Sequence, residues 1–259
     1  MIITKTSMKR GVNMALKVQS LSGGYFQKKV IEDISFSVNS GEIVALIGLN
    51  GAGKSTTIKH IIGLLEPMSG EITINDKIIS TDVEEYRRSF TYIPETPVLY
   101  DELTLGEHLE LTAMAYGISI EEMKKRAEPL LKEFRLHKKW DFFPSQFSKG
   151  MKQKVMILQA FLVQPSLYIV DEPFLGLDPL GIQSLLNLFV NEKERGAAIL
   201  FSTHILATAE KYCDKLLIMH NGKIACFGTL LEIQTMYNMP NASLDDLYWE
   251  ITKDGDSLS

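Results

Sequence analysis

The sequence predicts an α/β fold in which helices alternate with the strands of a mostly parallel sheet. Three observations support this prediction. An apolar segment at 42–47 runs into a glycine-rich turn, which opens a helix at Lys54. Strand-like runs return at 166–170, 198–202 and 215–219, with helical segments between them. Between Pro97 and about residue 160 the signals are helical, which indicates a helical sub-domain inserted into the α/β core.

The composition narrows the function classes. The chain has 259 residues, enough for one large domain or for a domain with a sub-domain. Its formal net charge of −5 gives no general basic field for DNA or RNA, so no nucleic-acid partner is expected. Two cysteines, Cys213 and Cys226, form neither a disulfide framework nor a zinc site, and free thiols are expected.

The N-terminal part contains strands and one clear hairpin signal. Residues 16–38 have a strand-like pattern with turn residues between the runs. The helix is expected to extend over 54–65 and to stop before Pro67. Strand-like runs at 71–74 and 77–79 flank Asn75-Asp76, which predicts a hairpin.

Two helix starts are predicted in the helical sub-domain. Thr104 is followed three residues later by Glu107, and Ser119 by Glu122. This spacing is that of a capping box, in which a hydroxyl and a carboxylate satisfy the free N–H groups of a helix start. Amphipathic segments follow both pairs.

The sequence predicts neither a membrane span nor a signal peptide. No stretch reaches the ~18 apolar residues that a span requires. Residues 1–14 lack an apolar signal-peptide core and are expected to be a disordered extension, with Met14 as an alternative start.

The segment 48–55 reads Gly-Leu-Asn-Gly-Ala-Gly-Lys-Ser and fits the phosphate-binding loop G-x-x-x-x-G-K-[ST]. Glycines let the backbone curl so that successive N–H groups face phosphate oxygens, and a helix N-terminus adds partial positive charge. Lys54 would reach the β- and γ-phosphates, and the Ser55 hydroxyl would bind Mg²⁺. The predicted nucleotide-binding residues of this segment are Gly48, Asn50, Gly51, Ala52, Gly53, Lys54, Ser55 and Thr56.

A second apolar strand, 167–170, ends in the adjacent acids Asp171 and Glu172. Adjacent carboxylates at the end of a buried strand are costly unless a cation or a reaction needs them. Asp171 would hold Mg²⁺, and Glu172 would act as the general base on water. A solvated acidic turn is the alternative reading. The guanine-reading N-K-x-D motif is lacking, which disfavours a GTPase, whereas the loop alone does not exclude a small-molecule kinase.

Further segments resemble the ATP-binding cassette of ABC transporters, in the same order and over nearly the whole chain from about Leu16. Tyr25 lies where the family has an aromatic ring stacked on adenine. The segment 147–151, Phe-Ser-Lys-Gly-Met, resembles the signature Leu-Ser-Gly-Gly-Gln, with Ser148 and Gly150 matching. The family's signature segment contacts the γ-phosphate held by the opposite subunit, which implies a dimer. Lys149 would either assist that contact or point to solvent.

Two more segments continue this resemblance. Leu177-Asp178-Pro179 is similar to the D-loop, which implies that Asp178 lies at the dimer interface, as Ser148 does. His204 resembles the switch histidine, which hydrogen-bonds the γ-phosphate and helps to hold the attacking water. It follows a strand, and ligands gather at strand ends in open α/β sheets.

Glu95 departs from the family pattern. The segment 92–95, Tyr-Ile-Pro-Glu, resembles the Q-loop, where the family has a neutral glutamine as metal ligand. Glu95 is hypothesised to bind Mg²⁺ still and to couple the metal site to the helical sub-domain, although its charge comes close to Asp171 and Glu172. This segment and Ser-Lys-Gly-Met-Lys-Gln at 148–153 are similar to Ecs-type ATPases of Gram-positive bacteria.

The resemblance implies a P-loop NTPase fold, with a RecA-like mostly parallel core, an antiparallel β sub-domain and an inserted α-helical sub-domain. The implied parts are the extension 1–14, the N-terminal part of the core 15–96, the helical sub-domain with the signature 97–160, the C-terminal part of the core 161–230 and a helical tail 231–259.

The resemblance also implies a function. Two cassettes, either two copies or one copy with another cassette, would close around two Mg–ATP molecules and drive an integral membrane permease. The subunit would be peripheral on the cytoplasmic face of the cell membrane, and the tail at 243–247 favours export. Two other classes stay open: a soluble ABC-type ATPase acting in translation or DNA repair, and a P-loop kinase.

Overall fold

The computed structural model describes residues 13–26 and 28–253, whose strands form one sheet of six strands and one of four. The strands are β1 (Met14–Tyr25), β2 (Lys28–Asn39), β3 (Ile43–Ile47), β4 (Ser69–Ile74), β5 (Lys77–Ile78), β6 (Phe90–Ile93), β7 (Leu167–Val170), β8 (Ala198–Thr203), β9 (Lys215–His220) and β10 (Lys223–Gly228). The helices are α1 (Lys54–Ile61), α2 (Val83–Arg88), α3 (Leu105–Tyr116), α4 (Ile120–Glu133), α5 (Lys149–Val163), α6 (Pro179–Glu194), α7 (Leu206–Tyr212), α8 (Leu230–Met236) and α9 (Leu244–Lys253).

The six-stranded sheet has the order β10-β9-β3-β8-β7-β6. The pairs from β9 through β6 are all parallel, and β10 is antiparallel to β9. The second sheet, β2-β1-β4-β5, is antiparallel. These two sheets confirm the predicted α/β fold with a mostly parallel core.

Both faces of the parallel sheet are covered, as the central strand β3 illustrates. Ile43, Ala45 and Ile47 point into a core shared with α3, α4, α5, α6 and α9, whereas Val44 and Leu46 point into a core shared with β1, β2, β4 and α1. All five side chains are buried. A strand that is buried on both faces is continuously apolar, which is why 43–47 is recognisable in the sequence.

The predicted hairpin is confirmed. β4 ends at Ile74 and β5 begins at Lys77, and the two strands pair antiparallel. Asn75 and Asp76 both have positive φ, at 48° and 61°. Two residues of positive φ form the turn whose twist suits a two-residue hairpin loop, and Asn and Asp tolerate this conformation.

The first helix is shorter than predicted, because α1 ends at Ile61 and not at residue 65. Gly63 has a φ of 75°, the Gly63 N–H donates to His60 O, and the Leu64 N–H donates to Lys59 O. These two bonds form a Schellman motif, in which glycine ends a helix in the left-handed conformation. Gly63 was therefore the stop signal, and Pro67 lies beyond it.

The two predicted capping boxes differ. At α3 the box is complete, because Thr104 Oγ1 accepts from the Glu107 N–H and the Glu107 carboxylate accepts from the Thr104 N–H. At α4 only half of it forms: Ser119 caps the helix, but the Glu122 carboxylate pairs with Arg126. The prediction of a second complete box was wrong, because the arginine one turn away competes for the carboxylate.

The termini lie partly beyond the described residues. Residues 1–12 of the predicted extension and residues 254–259 of the predicted tail are outside the description, whereas Met14 is the first residue of β1. Within 13–26 and 28–253, none of the helices has both the length and the hydrophobicity for crossing a membrane.

Candidate functional site

The glycine-rich turn lies between β3 and α1. Gly51 and Gly53 have φ values of 88° and 107°, which other residues rarely adopt. A Cβ on Gly48 would approach Met219 O to 2.7 Å. Gly53 occupies the N-cap of α1, so no side chain there accepts from the first N–H groups of the helix. The turn therefore leaves helix N–H groups available to an anion such as phosphate.

Lys54 is the first residue of α1 and is almost fully buried. Its Nζ donates to Gly48 O at 2.7 Å, across the base of the loop. The same Nζ lies 3.6 Å from Glu172 Oε1, close enough for an ion pair. A buried ammonium group needs such partners, because taking a charge out of water is expensive. Lys54 thus joins the loop after β3 to the loop after β7.

Asp171 and Glu172 follow β7 directly, and both are buried. The Ser202 hydroxyl, near the end of the neighbouring strand β8, donates to Asp171 Oδ1 at 2.5 Å. The same hydroxyl accepts from the Glu172 N–H at 2.9 Å. Ser202 is itself fully buried and fixes both acids. Sequence reasoning missed this residue. The signal for Ser202 was a hydroxyl near the end of a predicted strand of the parallel sheet, where functional groups gather.

Glu172 is held from two sides. Its Oε2 lies 2.9 Å from His204 Nδ1, and because a carboxylate only accepts, Nδ1 carries the proton in this contact. Its Oε1 is buried without a hydrogen bond and faces Lys54. Glu172 also has a φ of 46°, so the chain turns sharply at this residue. An ionised carboxylate with one unsatisfied oxygen beside a cavity can accept a proton from water.

A cavity of about 380 Å³ is lined by both of the predicted catalytic residues, Glu172 and His204. Its lining is formed by Leu49, Asn50, Lys54, Ser55, Glu95, Glu172, Leu175 and His204. Asp171 lies behind this lining, tied to Ser202. Burial, together with the charges of Asp171 and Glu95, raises the pKa of Tyr92, so this phenol stays neutral beside the acids.

The oxygen groups fit Mg²⁺ bound to a nucleotide. Mg²⁺ prefers oxygen ligands and is commonly held by one or two carboxylates together with substrate phosphates. Ser55 and Glu95 line the cavity, and Asp171 is adjacent to it. In the described part of the chain no group of three or more His, Cys, Asp or Glu residues forms a metal site of its own. Phosphate oxygens of a bound nucleotide and water would complete the coordination.

Tyr25 lies beside α1 and does not line this cavity. Its hydroxyl accepts from Lys59 Nζ at 3.1 Å. Although burial alone would raise the pKa of Tyr25, hydrogen bonds with Lys59 and Thr56 lower it. Thr56, another predicted nucleotide-binding residue, is buried on the same helix. Sequence reasoning missed Lys59, which holds the ring by its hydroxyl.

Ser148, Gly150 and Asp178 lie away from the lining of the cavity. Ser148 caps α5 by accepting from the Met151 N–H, and a Cβ on Gly150 would approach Gly176 O to 2.4 Å. Asp178 caps α6 and pairs with Lys154 Nζ at 3.2 Å. Within one chain, therefore, these residues have structural partners and do not meet Lys54 or Glu172.

The C-terminal helix α9 reaches the phosphate loop, which the sequence did not indicate. A second cavity of about 480 Å³ lies between them. Its lining includes Leu49, Asn50, Gly51 and Ala52 from the loop, His220 and Asn221 from the β9–β10 turn, and Trp249 and Thr252 from α9. Trp249 and Leu49 are largely exposed, so the outer side of the loop has an apolar border.

Comparison with known proteins agrees with this geometry. The sequence model of the family described as ABC transporter matches residues 31–175. The chain is 60% identical over 239 residues to the ABC-type transporter ATP-binding protein EcsA of Bacillus subtilis (strain 168), an alignment that covers 92% of this chain and 97% of the relative.

Two solved structures are also similar. One, described as the structure of the ATP binding subunit of an ABC transporter, has 61% identity and a TM-score of 0.90, covering 92% of this chain and all of that one. The other is cbiO1 from Clostridium perfringens, described as part of the ABC transporter complex cbiONQ. It has 28% identity and a TM-score of 0.74, covering 87% and 92% of the two chains.

The role of Ser202 can be tested by Ser202→Ala. Hydrogen bonds to charged groups contribute about 1.5–3 kcal/mol, so the Mg²⁺-dependent ATP hydrolysis predicted from the sequence should fall roughly tenfold or more. The control is Ser184→Ala, which removes a buried hydroxyl from α6. Both variants should be compared by hydrolysis rate and by thermal unfolding. Equal rates in the two variants would show that Ser202 does not fix the acids for catalysis.

Proposed function

The chain belongs to the ABC transporter family as an ATP-binding subunit, and from this premise we propose that it hydrolyses ATP to drive a separate transmembrane partner. The observation that supports hydrolysis is the convergence of Lys54, Glu172 and His204 on one cavity beside the phosphate loop. The tail at 243–247, which resembles those of exporters, supports export as the direction. The subunit would work at the cytoplasmic face of the membrane.

The residues of the cavity suit this chemistry. Phosphate oxygens of ATP would accept hydrogen bonds from the N–H groups of the turn. Lys54 would leave Gly48 O and bind the phosphate oxygens. Glu172 would accept a proton from the attacking water, and His204 would hold Glu172 and the γ-phosphate in place. Ser55, Glu95 and Asp171 would hold Mg²⁺, which when bound neutralises charge on the phosphates.

A single chain offers half of the proposed site. Ser148, Gly150 and Asp178 lack any contact with the cavity that Lys54 lines. The exposed Ser148 stands at the N-terminus of α5, where the N–H groups favour an anion. We therefore propose a head-to-tail dimer, formed with a second copy or with another cassette, in which Ser148 of each subunit faces the other subunit's ATP.

We propose that the membrane partner binds a groove beside the helical sub-domain. A cavity of about 210 Å³ is lined by residues of β6, α3 and α5 and by Val98, which follows Glu95 by three positions. Val98, which lines it, and Tyr100 of the same loop expose large apolar side chains, as does Leu111 of α3. Exposed apolar groups on adjacent elements are a feature of protein–protein contacts. A cytoplasmic helix of the permease would fit this groove, and the similar cbiO1 is described as part of a transporter complex.

Co-purification tests the partner. A tagged chain extracted in mild detergent should bring down an integral membrane protein with several spans. The variant Val98→Asp, which places a charge in the groove, should lose this protein while retaining ATP binding. Recovery of ribosomes or DNA in place of a membrane protein would support the alternative function in translation or repair and would contradict the proposal.

Glu172→Gln tests the general base. The variant keeps the size of the side chain but cannot accept the proton, so hydrolysis should fall on the order of 10²–10⁴-fold while ATP binding is retained. Size-exclusion chromatography with Mg–ATP should then show a trapped dimer. Adding Lys54→Ala to this variant should abolish the dimer, because the phosphates lose their cation. Full turnover by Glu172→Gln would refute the assignment.

Glu95→Gln tests the unusual metal ligand. If Glu95 binds Mg²⁺ through its charge, the Mg²⁺ concentration for half-maximal hydrolysis should rise on the order of tenfold, because metal affinity follows the charge of the ligands. Glu102→Gln, at an exposed position of the following loop, is the control. An unchanged Mg²⁺ dependence and an unchanged rate in Glu95→Gln would contradict this role.

A further inference from the structure

His108 is a buried residue of α3 that uses both of its ring nitrogens. Only 1% of its surface is exposed. Its Nδ1 lies 2.7 Å from Thr104 O, and its Nε2 lies 3.0 Å from the Tyr100 backbone nitrogen. Because a carbonyl accepts and a backbone N–H donates, the ring must be neutral, with its proton on Nδ1. The imidazole therefore connects α3 to the preceding loop through two hydrogen bonds.

The loop concerned, 96–103, begins directly after Glu95 and carries Val98 and Tyr100 of the proposed groove. In the described part of the chain, its backbone makes one hydrogen bond to a residue outside the loop, from the Tyr100 N–H to His108. Leu99 adds apolar packing against the core. The Tyr100 ring also lies against the imidazole, with the two ring centroids 6.2 Å apart. The contacts that hold the loop to α3 through space therefore centre on His108.

The first residues of α3 are hydrogen-bonded to the segment that precedes residues 147–151. The Leu105 N–H donates to Phe142 O, and the Gly106 N–H donates to Trp140 O, both at 2.9 Å. A Cβ on Gly106 would lie 2.3 Å from Trp140 Nε1, so the helix start is pressed against the indole. Phe142 in turn stacks on Phe147, with the ring planes 8° apart.

These contacts form one continuous path. It runs from Glu95 through the loop to His108, through the start of α3 to residues 140–142, and on to Phe147 beside Ser148. On the proposed function, Glu95 serves the chain's own ATP, whereas Ser148 serves the ATP of the other subunit. The start of α3 thus stands between the two sites and next to the proposed groove.

We propose that His108 is a positioning residue that makes the loop after Glu95 move together with α3 and the signature-bearing segment. This inference rests on the proposed function, since it assigns a role in coupling ATP hydrolysis to the membrane partner. His108 neither lines the nucleotide cavity nor contacts Asp171 or Glu172, so we expect the isolated subunit to hydrolyse ATP without it.

Two conservative variants separate the two hydrogen bonds of the imidazole. The amide of Gln at position 108 can present an acceptor where Nε2 lies and so retain the bond from Tyr100. The amide of Asn is shorter and reaches the Nδ1 position, so His108→Asn keeps the bond to Thr104 and loses the one from Tyr100. His137→Asn, at an exposed position, is the control for the substitution itself.

The first experiment measures hydrogen–deuterium exchange of the peptide covering 96–104 in the isolated full chain. His108→Asn should raise its exchange rate roughly fivefold, which is the protection that one hydrogen bond of ordinary strength provides. His108→Gln and His137→Asn should exchange as the wild type does. Wild-type exchange in His108→Asn, or equal acceleration in His108→Asn and His108→Gln, would overturn the proposal. In either case the hydrogen bond from Tyr100 to His108 would not be what protects the loop.

The second experiment measures ATP hydrolysis by the isolated chain and by the complex with its co-purified membrane protein. His108→Asn should leave the isolated rate unchanged and reduce the stimulation in the complex about fivefold, and His108→Gln should restore it. If the wild-type chain co-purifies no membrane protein, the proposed function fails and the coupling role fails with it. If the complex forms and His108→Asn is stimulated like the wild type, only the role of His108 is refuted.

Discussion

The pairing of buried Lys54 with buried Glu172 is the interaction on which the site depends. Neither charge would be tolerated alone in the interior, since an unpaired buried ion costs several kcal/mol. Lys54 begins the helix after β3, and Glu172 follows β7, two strands away in the sheet. The pair, at 3.6 Å, can form only where the carboxyl ends of these parallel strands meet. The strand order of the sheet therefore decides where chemistry is possible.

The sequence predicts those features whose causes are local. Because β3 is buried on both faces, its sequence is continuously apolar. The glycines of the loop form a recognisable motif, and Asn75-Asp76 is a recognisable turn signal. Features with distant causes were not. Ser202 matters only because β8 lies beside β7, and Glu122 turns to Arg126 instead of completing a cap. Gly63 was the exception, since its helix-ending signal was local and was overlooked in favour of Pro67.

The residues assigned only by resemblance have roles inside the chain that the sequence could not reveal. Asp178 caps α6 and binds Lys154, and hydrogen bonds with the Gly181 N–H and with Lys154 lower the pKa of its carboxyl. Gly150 is needed where α5 approaches Gly176 O. These contacts give Asp178 and Gly150 a structural role within one subunit, whether or not a second subunit binds. They also hold the segments 177–179 and 147–151 in a fixed relation, which the proposed composite site between two subunits would require.

The charges around the cavity would favour a bound cation. Three carboxylates, Asp171, Glu172 and Glu95, lie in or beside the lining, against the single ammonium group of Lys54 among the residues that line it. His204 donates its Nδ1 proton to Glu172 and can do so as a neutral ring. Glu95 is exposed, so water solvates its charge in this structure at small cost. When a nucleotide displaces that water, the excess negative charge grows. A glutamine at 95 would lessen this excess by one charge, whereas the glutamate would favour a divalent cation as the counterion in the proposed nucleotide complex.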